Sequence, residues 1–576
     1  MRILFLTHSF NSLTQRLYVE LTERGHDVSI EYDINDVVTV EAVRLFQPDL
    51  IFAPYLRRAI PEEIWRNHLC LVVHPGIVGD GGPSALDWAI LNGATEWGVT
   101  VLQANGEMDA GPVWASVNFR MREGRKSSLY RNEVTEAAVT AVLLAIERFS
   151  RGDYVPLSPG AGQADVRGQW HPLMNQSDRQ IDWSTDDART VLRKINSADG
   201  SPGVTDRLGK ELFHLYDACE EDSLRGKAGE IIARRHGAFC RATRDGAIWI
   251  GHLKKIAPGE RTFKLPATLV LNEILAHVPE VSLSLEFSRD RKTYKEIWYE
   301  EMGEAGYLYF DFYNGAMSTE QCRRLLEAYK QVRQRPTRVI VLMGGHDFWS
   351  NGIHLNSIEA ASSPADESWR NINAMDDLVE AIIMTDTHLT VAALRGNAGA
   401  GGAFLALAAD RIYARTGVVL NPHYKNMGNL YGSEYWTYLL PRRVGERGRE
   451  IMENRLPLGA KAAKRCGLID DCFGKDADDF VAQVESIVAA LAEDVSHETQ
   501  LKEKQLQRTK DETSKSLLHY RTEELERMKL NFYGFDPSYH VARYNFVFRV
   551  PNSWTPLHLA RHRRVSRKIA VSTNEI

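Results

Sequence analysis

The chain has 576 residues, room for roughly three to four domains of about 150 residues each. Its 44% hydrophobic and 25% charged content is that of an ordinary globular protein, and a net charge of −6 gives no basic field for nucleic acid. No apolar run of about 18 residues is present, so no membrane span is expected, and the opening MRILFLTHSF reads as a strand and not as a signal peptide.

Taken in chain order, RILFLTH is a buried-strand run, after which Leu13, Leu17 and Leu21 share one helical face and Gly25 ends that helix. HDVSIEYD and DLIFAPY are further strands with a helix through VEAVRLF between them. This βαβαβ order predicts an α/β fold with a parallel, doubly wound sheet and its site at the carboxyl ends of the strands. SPGAGQAD (158–165) reads as a Gly/Pro-rich linker. After a helix near DDARTVLRKI, the segments KAGEIIARR, GAFCRAT and AIWIGHLKK read as short strands of a small, OB-like β-barrel. From about 280 a new α/β pattern starts with YLYFDFY, the helix TEQCRRLLEAYKQV and the strand RVIVLMG. Beyond 474 the chain is mostly helical, and its charged stretch 500–530 reads as a solvated helix face.

Cysteines 70, 219, 240, 322, 466 and 472 are scattered without a CxxC pair, which suits free thiols in a reducing cytoplasm. There is no HExxH; His558 and His562 in HLARH are four apart, but they sit in a basic tail and no metal site is assigned to them.

The first chemical constellation lies in LVVHPGIVGDGGPSALDWAI (71–90) and GVTVLQANGEMDAGPVW (98–114). The former puts His74 at the end of an apolar strand, and the latter puts Asp109 in a polar turn after another strand. QPDLIFAPYLRRAIP, VVHPGIVGDGGPS, GVTVLQANGEMDAGPV and the later QIDWS follow the motif order of the 10-formyltetrahydrofolate-dependent formyltransferases and hydrolases, which roughly the first 270 residues resemble. The resemblance implies that His74 and Asp109 are the catalytic pair: a histidine held by a carboxylate stabilises the tetrahedral oxyanion of formyl transfer and relays its proton. The family's asparagine two residues before the histidine is Val72 here, a missing amide donor worth about 3 kcal/mol if nothing replaces it. That departure favours a thiol acceptor, since a thiolate is an intrinsically strong nucleophile. Asn11 and Gln15, in THSFNSLTQ, are candidates to line the substrate and Arg131 to meet a phosphate; the plainer readings are loop capping and a surface ion pair.

The second constellation is RVIVLMGGHDFWSNGIHLNSIE (338–359) followed by RGNAGAGGAFLALAADRIYA (395–414) and VVLNPHYKNMGNLYGSEYW. Together they resemble the crotonase (enoyl-CoA hydratase/isomerase) superfamily over about 300–475. The resemblance implies an oxyanion hole from backbone N–H groups near Asn351, Gly352 and Ile353 and of Gly401, holding the carbonyl of a CoA thioester. At the two acid/base glutamate positions of the hydratases stand Phe404 and Tyr424, and Glu434 supplies a carboxylate ten residues later. Enoyl-CoA hydration is therefore not expected.

The fusion of the two halves is similar to the HypX/HoxX-type [NiFe]-hydrogenase maturation factors over nearly the whole chain. That resemblance implies transfer of formyl from 10-formyltetrahydrofolate to CoA, then decarbonylation of formyl-CoA to CO for the hydrogenase iron, with Glu434 and Tyr424 as base and acid in either assignment. The alternatives are a formyltransferase or formyl-CoA hydrolase that stops at formate and a non-catalytic scaffold that binds folate or CoA and docks on a hydrogenase precursor, with the hydrogenase maturation machinery a candidate partner. The expected domains are a formyltransferase-like domain (1–155), a β-barrel domain (156–278), a crotonase-like ββα spiral (279–500) and a helical extension (501–576). In the tail, Arg543, Arg561, Arg563, Arg564, Arg567 and Lys568 read either as contacts to CoA phosphates or adenine, with Arg543 the candidate retained, or as a solvated basic helix. Neither nucleic acid nor membrane is an expected partner.

Overall fold

The apolar run at the N-terminus forms β1 (Arg2–Thr7), which lies between β2 and β3 in a six-stranded sheet ordered β2-β1-β3-β4-β5-β6. Its partners are β2 (Asp27–Tyr32), β3 (Leu50–Tyr55), β4 (Cys70–His74), β5 (Glu96–Gln103) and β6 (Val113–Arg120). In this computed structural model the described residues are 1–158, 168–286 and 291–564. Of SPGAGQAD only Ser158 falls among them, and Arg567 and Lys568 lie outside them.

Pairing is parallel from β2 to β4, but β4–β5 and β5–β6 are antiparallel, with His74 opposite Thr100. The doubly wound half thus ends in an antiparallel ribbon. The connection from Gln103 to Val113 is too short for a parallel crossover, which needs a dozen or more residues. The helix Ser12–Glu23 begins where the Asn11 side chain accepts from the Thr14 amide, and it buries Leu13, Leu17 and Leu21.

Two compact units divide the chain: Met1–Glu123, Leu129–Met174 and Pro551–Ile576 form one, Gly124–Ser128 and Asn175–Val550 the other. The end of the chain is therefore not a helical extension throughout. After the helix Ser538–Val547, Pro551 and Pro556 break the pattern, and residues 551–564 run along the outer edge of β2. The Ile30 amide donates to the Leu559 carbonyl (3.1 Å) and the Tyr32 amide to the Thr555 hydroxyl (2.8 Å). Arg561 pairs with Asp27 and Arg563 with Glu31 and Glu41, while His562 is hydrogen-bonded to Ser29 and Glu31. These side chains fasten the tail; they are neither a solvated helix nor free for phosphate.

In the second unit, β7 (Val204–Leu208), β8 (Glu211–Glu221), β9 (Ile231–Arg235), β10 (Ala238–Ala242), β11 (Ala247–Lys255) and β12 (Leu265–Pro266) form an antiparallel sheet along the path β7-β8-β11-β10-β9, with β12 on β11. The helix Ala188–Ala198 packs on it through Val191 and Ile195. Two further sheets follow. One is ordered β13-β14-β15-β17-β19-β22: β13 (Ile297–Met302), β14 (Ala305–Phe310), β15 (Val339–Met343), β17 (Leu389–Leu394), β19 (Arg411–Arg415) and β22 (Asp471–Phe473). The other is β16 (Phe348–Ser350), β18 (Asn397–Gly399), β20 (Val419–Asn421) and β21 (Leu458–Gly459). The successive β16, β18 and β20 stack in parallel and bring the loops that follow them to one place. β14, β15 and β17 are buried at every position, the signature of a sheet covered on both faces.

The charged helices His497–Ser514 and Leu517–Tyr533 do not present only a solvated face. Lys504 reaches Asp410 (2.6 Å), and Glu524 is fully buried.

Candidate functional site

In the first unit His74 ends β4, where the strand gives way to a glycine-rich loop. Its ring lies between two carboxylates. Nε2 is 2.9 Å from Asp80 Oδ2 and Nδ1 is 3.5 Å from Asp109 Oδ1. Asp109 is held by the Gly82 amide (3.1 Å) and sits at φ 55°, a left-handed conformation that aspartate tolerates better than most residues. A Cβ on Gly76 would overlap both the His74 ring and the Asp80 carboxyl, so only glycine lets the loop close over the pair.

Asp80 was not singled out in the sequence. Its side chain is 1% exposed against 13% for Asp109, so the open side of the imidazole is the Asp109 side. Asp80 fixes the orientation of the ring through Nε2, and Asp109 stands on the side where a reacting group can enter. The signal available was a lone acid within GIVGDGG, six residues after the histidine.

Of the other residues predicted for this site, Asn11 is the N-cap already described, and Gln15 Nε2 donates to the Phe10 carbonyl (2.9 Å). Arg131 lies half-buried in the irregular turn Tyr130–Val134. Arg543, in the second unit, is buried; its guanidinium meets Glu359 (2.6 Å) and His540 (3.0 Å) and covers the Tyr539 ring. A phosphate would have to displace Glu359 to reach it.

The second constellation is brought together closely. The Asn351 amide donates to the Gly315 carbonyl (2.7 Å) and the Gly352 amide to the Ser350 hydroxyl (3.1 Å), so both are already used. Gly401 opens the helix Gly401–Leu407, and a first-turn amide has no partner within its own helix. The Ile353 amide likewise donates to no backbone carbonyl or side chain among the described residues. Of the four predicted donors, the N–H groups of Ile353 and Gly401 are those not donated to a backbone carbonyl or side chain among the described residues.

Against Gly401 lies the Glu434 carboxyl. A Cβ on Gly401 would overlap it, which is why the helix must start with glycine. Glu434 is 1% exposed and, with Tyr435, forms two consecutive left-handed residues (φ 59° and 58°). Such backbone persists only where its surroundings fix it. Tyr424 Oη is 2.5 Å from Glu434 Oε2 and 2.9 Å from the Ser433 carbonyl, and its ring stacks on Phe404 with centroids 5.3 Å apart. Phe404 is fully buried and belongs, with Tyr424, Leu430, Trp349 and Met528, to the main hydrophobic core.

Two carboxylates not picked out in the sequence support the turn from behind. Asp376, on the helix Pro364–Ile383, accepts from the Ser433 hydroxyl (2.8 and 2.9 Å) and the Glu434 amide (2.8 Å). Glu524 accepts from the amides of Tyr435 (2.9 Å) and Thr437 (2.8 Å). Burial, and then the Asp376 charge, holds the Glu434 carboxyl well above the usual carboxylate range. Burial likewise pushes Asp376 to about 7 and Glu524 to about 8. Burial and the adjoining Glu434 keep the Tyr424 phenol neutral. The chemistry available here is proton exchange between a buried carboxyl and a buried phenol beside two amide donors.

Sequence comparison places this geometry among known families. The chain matches the formyl transferase family over residues 31–146, the formyl transferase C-terminal domain over 173–265 and the enoyl-CoA hydratase/isomerase family over 312–531. It is 55% identical to the hydrogenase maturation factor HoxX of Bradyrhizobium diazoefficiens over 564 residues, covering 98% of this chain and 97% of that one. A crystal structure of HypX from Aquifex aeolicus in complex with tetrahydrofolic acid superposes with a TM-score of 0.95 at 52% identity, over 98% of this chain and 99% of that one. The methionyl-tRNA formyltransferase of Citrifermentans bemidjiense is 23% identical over 219 residues, 38% of this chain and 67% of that protein.

Proposed function

The chain belongs to the HypX/HoxX family of hydrogenase maturation factors, and from that premise we propose that it makes carbon monoxide in two steps, formyl transfer from 10-formyltetrahydrofolate to CoA and decarbonylation of the resulting formyl-CoA. The CO is then the ligand delivered to the iron of [NiFe]-hydrogenase. The tetrahydrofolic acid bound by the Aquifex relative supports folate as the carrier of the formyl group.

At the first centre the CoA thiolate adds to the formyl carbon. The carbonyl becomes an oxyanion, the bond to the folate nitrogen breaks as it collapses, and that nitrogen takes a proton. His74 is placed to stabilise the oxyanion and hand over the proton, with Asp109 taking the complementary charge and Asp80 fixing the ring. Val72 supplies no amide donor, and this too favours a thiol over a less reactive amine as acceptor.

At the second centre the Ile353 and Gly401 amides orient the thioester carbonyl. The formyl proton passes to the Glu434 carboxylate, and its bonding pair stays on carbon as the lone pair of CO. The C–S bond breaks with its pair on sulfur, and Tyr424 gives sulfur a proton. Tyr424 then recovers a proton from Glu434 across their 2.5 Å contact, leaving CO, CoA and the starting enzyme. No water is consumed, and the observation that carries the reading is what stands where a water-activating glutamate would be. It is Phe404, fully buried and stacked on the tyrosine of an acid pair that faces Gly401.

Headspace gas analysis tests this with purified protein, 10-formyltetrahydrofolate and CoA. CO is the expected product. Formate without CO means an enzyme that stops at hydrolysis, and ligand binding without turnover means a scaffold; either result rejects the two-step reading.

A further inference from the structure

The turn that carries Glu434 is gripped by the side chains of Asp376 and Glu524, and the first of these is costly. Asp376 is fully buried, and its nearest cation, Arg521 Nε, is 3.8 Å away. Arg521 also serves Asp377 (2.7 Å) and Glu380 (3.1 Å). A buried carboxylate so thinly compensated costs stability, and a packed apolar side chain would cost less. Its remaining partners are the Ser433 hydroxyl and the amide of Glu434, the first of the two left-handed residues.

We propose that Asp376 is a positioning residue of the second centre, fixing the Ser433–Glu434 turn so that the Glu434 carboxyl lies against Gly401 and setting the strength of that carboxyl as a base. This rests on the reading of Glu434 as the group that takes the formyl proton. The geometry supplies both roles. The carboxylate accepts from the hydroxyl with both oxygens and from the amide with one, so the peptide cannot rotate without losing charge-assisted bonds. A negative charge one residue's breadth from Glu434 also makes that carboxyl hold its proton harder, and its ionised form is correspondingly a stronger base. The groups facing Asp376 are Arg521 and Glu524 from the helix Leu517–Tyr533, Asp377 from its own helix, and Glu434 from the turn, which Glu524 also influences. Tyr424 couples to the same set.

The test uses the full chain supplied with formyl-CoA. Asp376→Asn keeps size and one acceptor but removes the charge and the second acceptor. The kcat for CO release is expected to fall roughly 10- to 100-fold, the size of one charge-assisted hydrogen bond, with KM changing less than about twofold. The acid limb of the pH profile is expected to move to lower pH, because loss of the neighbouring charge lets Glu434 ionise more readily. Ser433→Ala keeps the charge and loses only the hydroxyl, so kcat falls while the limb moves less. A wild-type rate and limb in both variants overturns the proposal. A lowered melting temperature with an unmoved limb also overturns it, because a merely structural residue gives that result. Should Asp376→Asn fail to fold, a wild-type kcat in Ser433→Ala is enough to reject it.

A readout without turnover separates this proposal from the reading beneath it. Carboxyl carbon-13 titration of Glu434, assigned with Glu434→Gln, is expected to show a lower midpoint in Asp376→Asn. An unmoved midpoint rejects the role of Asp376 alone, whereas a wild-type protein that releases no CO from formyl-CoA rejects the role assigned to Glu434.

Discussion

The two centres use carboxylates in opposite ways. In the first, one imidazole stands between Asp80 and Asp109, so each acid has a partner that can carry positive charge. In the second, Asp376, Glu434 and Glu524 crowd together with a single guanidinium 3.8 Å from one of them. The first arrangement suits a reaction that creates an oxyanion and needs a compensating charge. The second buries acids whose proton affinity is raised, so that Glu434 once ionised is a strong base, which suits a reaction whose events are proton moves and a bond cleavage. What differs is whether a group able to carry positive charge stands between the acids, and on the proposed reading that difference matches the chemistry of each site.

The most direct way to break the comparison is to remove one centre and watch the other. His74→Ala is expected to lower formyl transfer by about 10³-fold or more, since it removes both the proton carrier and the stabiliser of the oxyanion. CO release from supplied formyl-CoA stays at the wild-type rate. The two assays are formation of formyl-CoA from 10-formyltetrahydrofolate, and headspace CO. Glu434→Gln is the mirror experiment: CO release falls about 10²- to 10³-fold while transfer is retained. A variant of either kind that disables both reactions contradicts a division into two centres.

Much of this was legible in the sequence, and the parts that were not share a cause. β1, β3 and β15 announce themselves as apolar runs, and the motif order leads to His74, Asp109, Tyr424 and Glu434, residues that the fold does bring together in pairs. Asp80 and Asp376 were not found because a carboxylate's role depends on what faces it after folding. Asp376 lies on a helix more than fifty residues before Glu434 and looks there like any polar helix residue. The polarity of β5 and β6 was hidden because an apolar run carries no direction, although the short connection between them held the clue. The buried side of the charged helix Leu517–Tyr533 was hidden for a physical reason as well: charge suggests solvent, and most of the helix does face it, yet Glu524 is buried where it accepts two backbone amides. Two prolines in PNSWTPLH marked the end of helix before the tail reached β2.

Phe404→Glu sharpens the comparison by giving the dry centre the carboxylate it lacks. The product is expected to shift from CO towards formate, read as the ratio of the two from formyl-CoA. Because Phe404 is fully buried, the change also costs about 3 kcal/mol or more of stability, from lost apolar burial and an unpaired carboxyl. Phe404→Leu is the control: it keeps the pocket apolar, leaves the product as CO and slows release only through the loosened Tyr424 stack.

The smallest expected effects concern stability, and they compare one buried carboxyl from each unit. Glu31 in the first unit is buried, which alone would raise its proton affinity, but hydrogen bonds from His562 and Thr555 and the charge of Arg563 bring it net below the usual value. A lowered carboxyl stabilises the fold above its unfolded pKa, and that contribution is lost as pH falls through the folded value. Glu524 has the opposite sign. Burial raises it from 4.5 to about 8, so its protonated form is the one the fold prefers. Its contribution is complete below pH 4.5 and declines as pH rises towards about 8. Glu524→Gln is therefore expected to remove part of the decline, so that the variant gains on the wild type between pH 5 and pH 8 in urea denaturation. The lost acceptor bond to Thr437 lowers both points by about 1 kcal/mol, leaving the slope as the diagnostic quantity. Glu31→Gln should instead lose stability most at pH 8 and least at low pH. If both variants changed stability equally at every pH, the contrast between balanced and unbalanced burial would not be what distinguishes these two carboxyls.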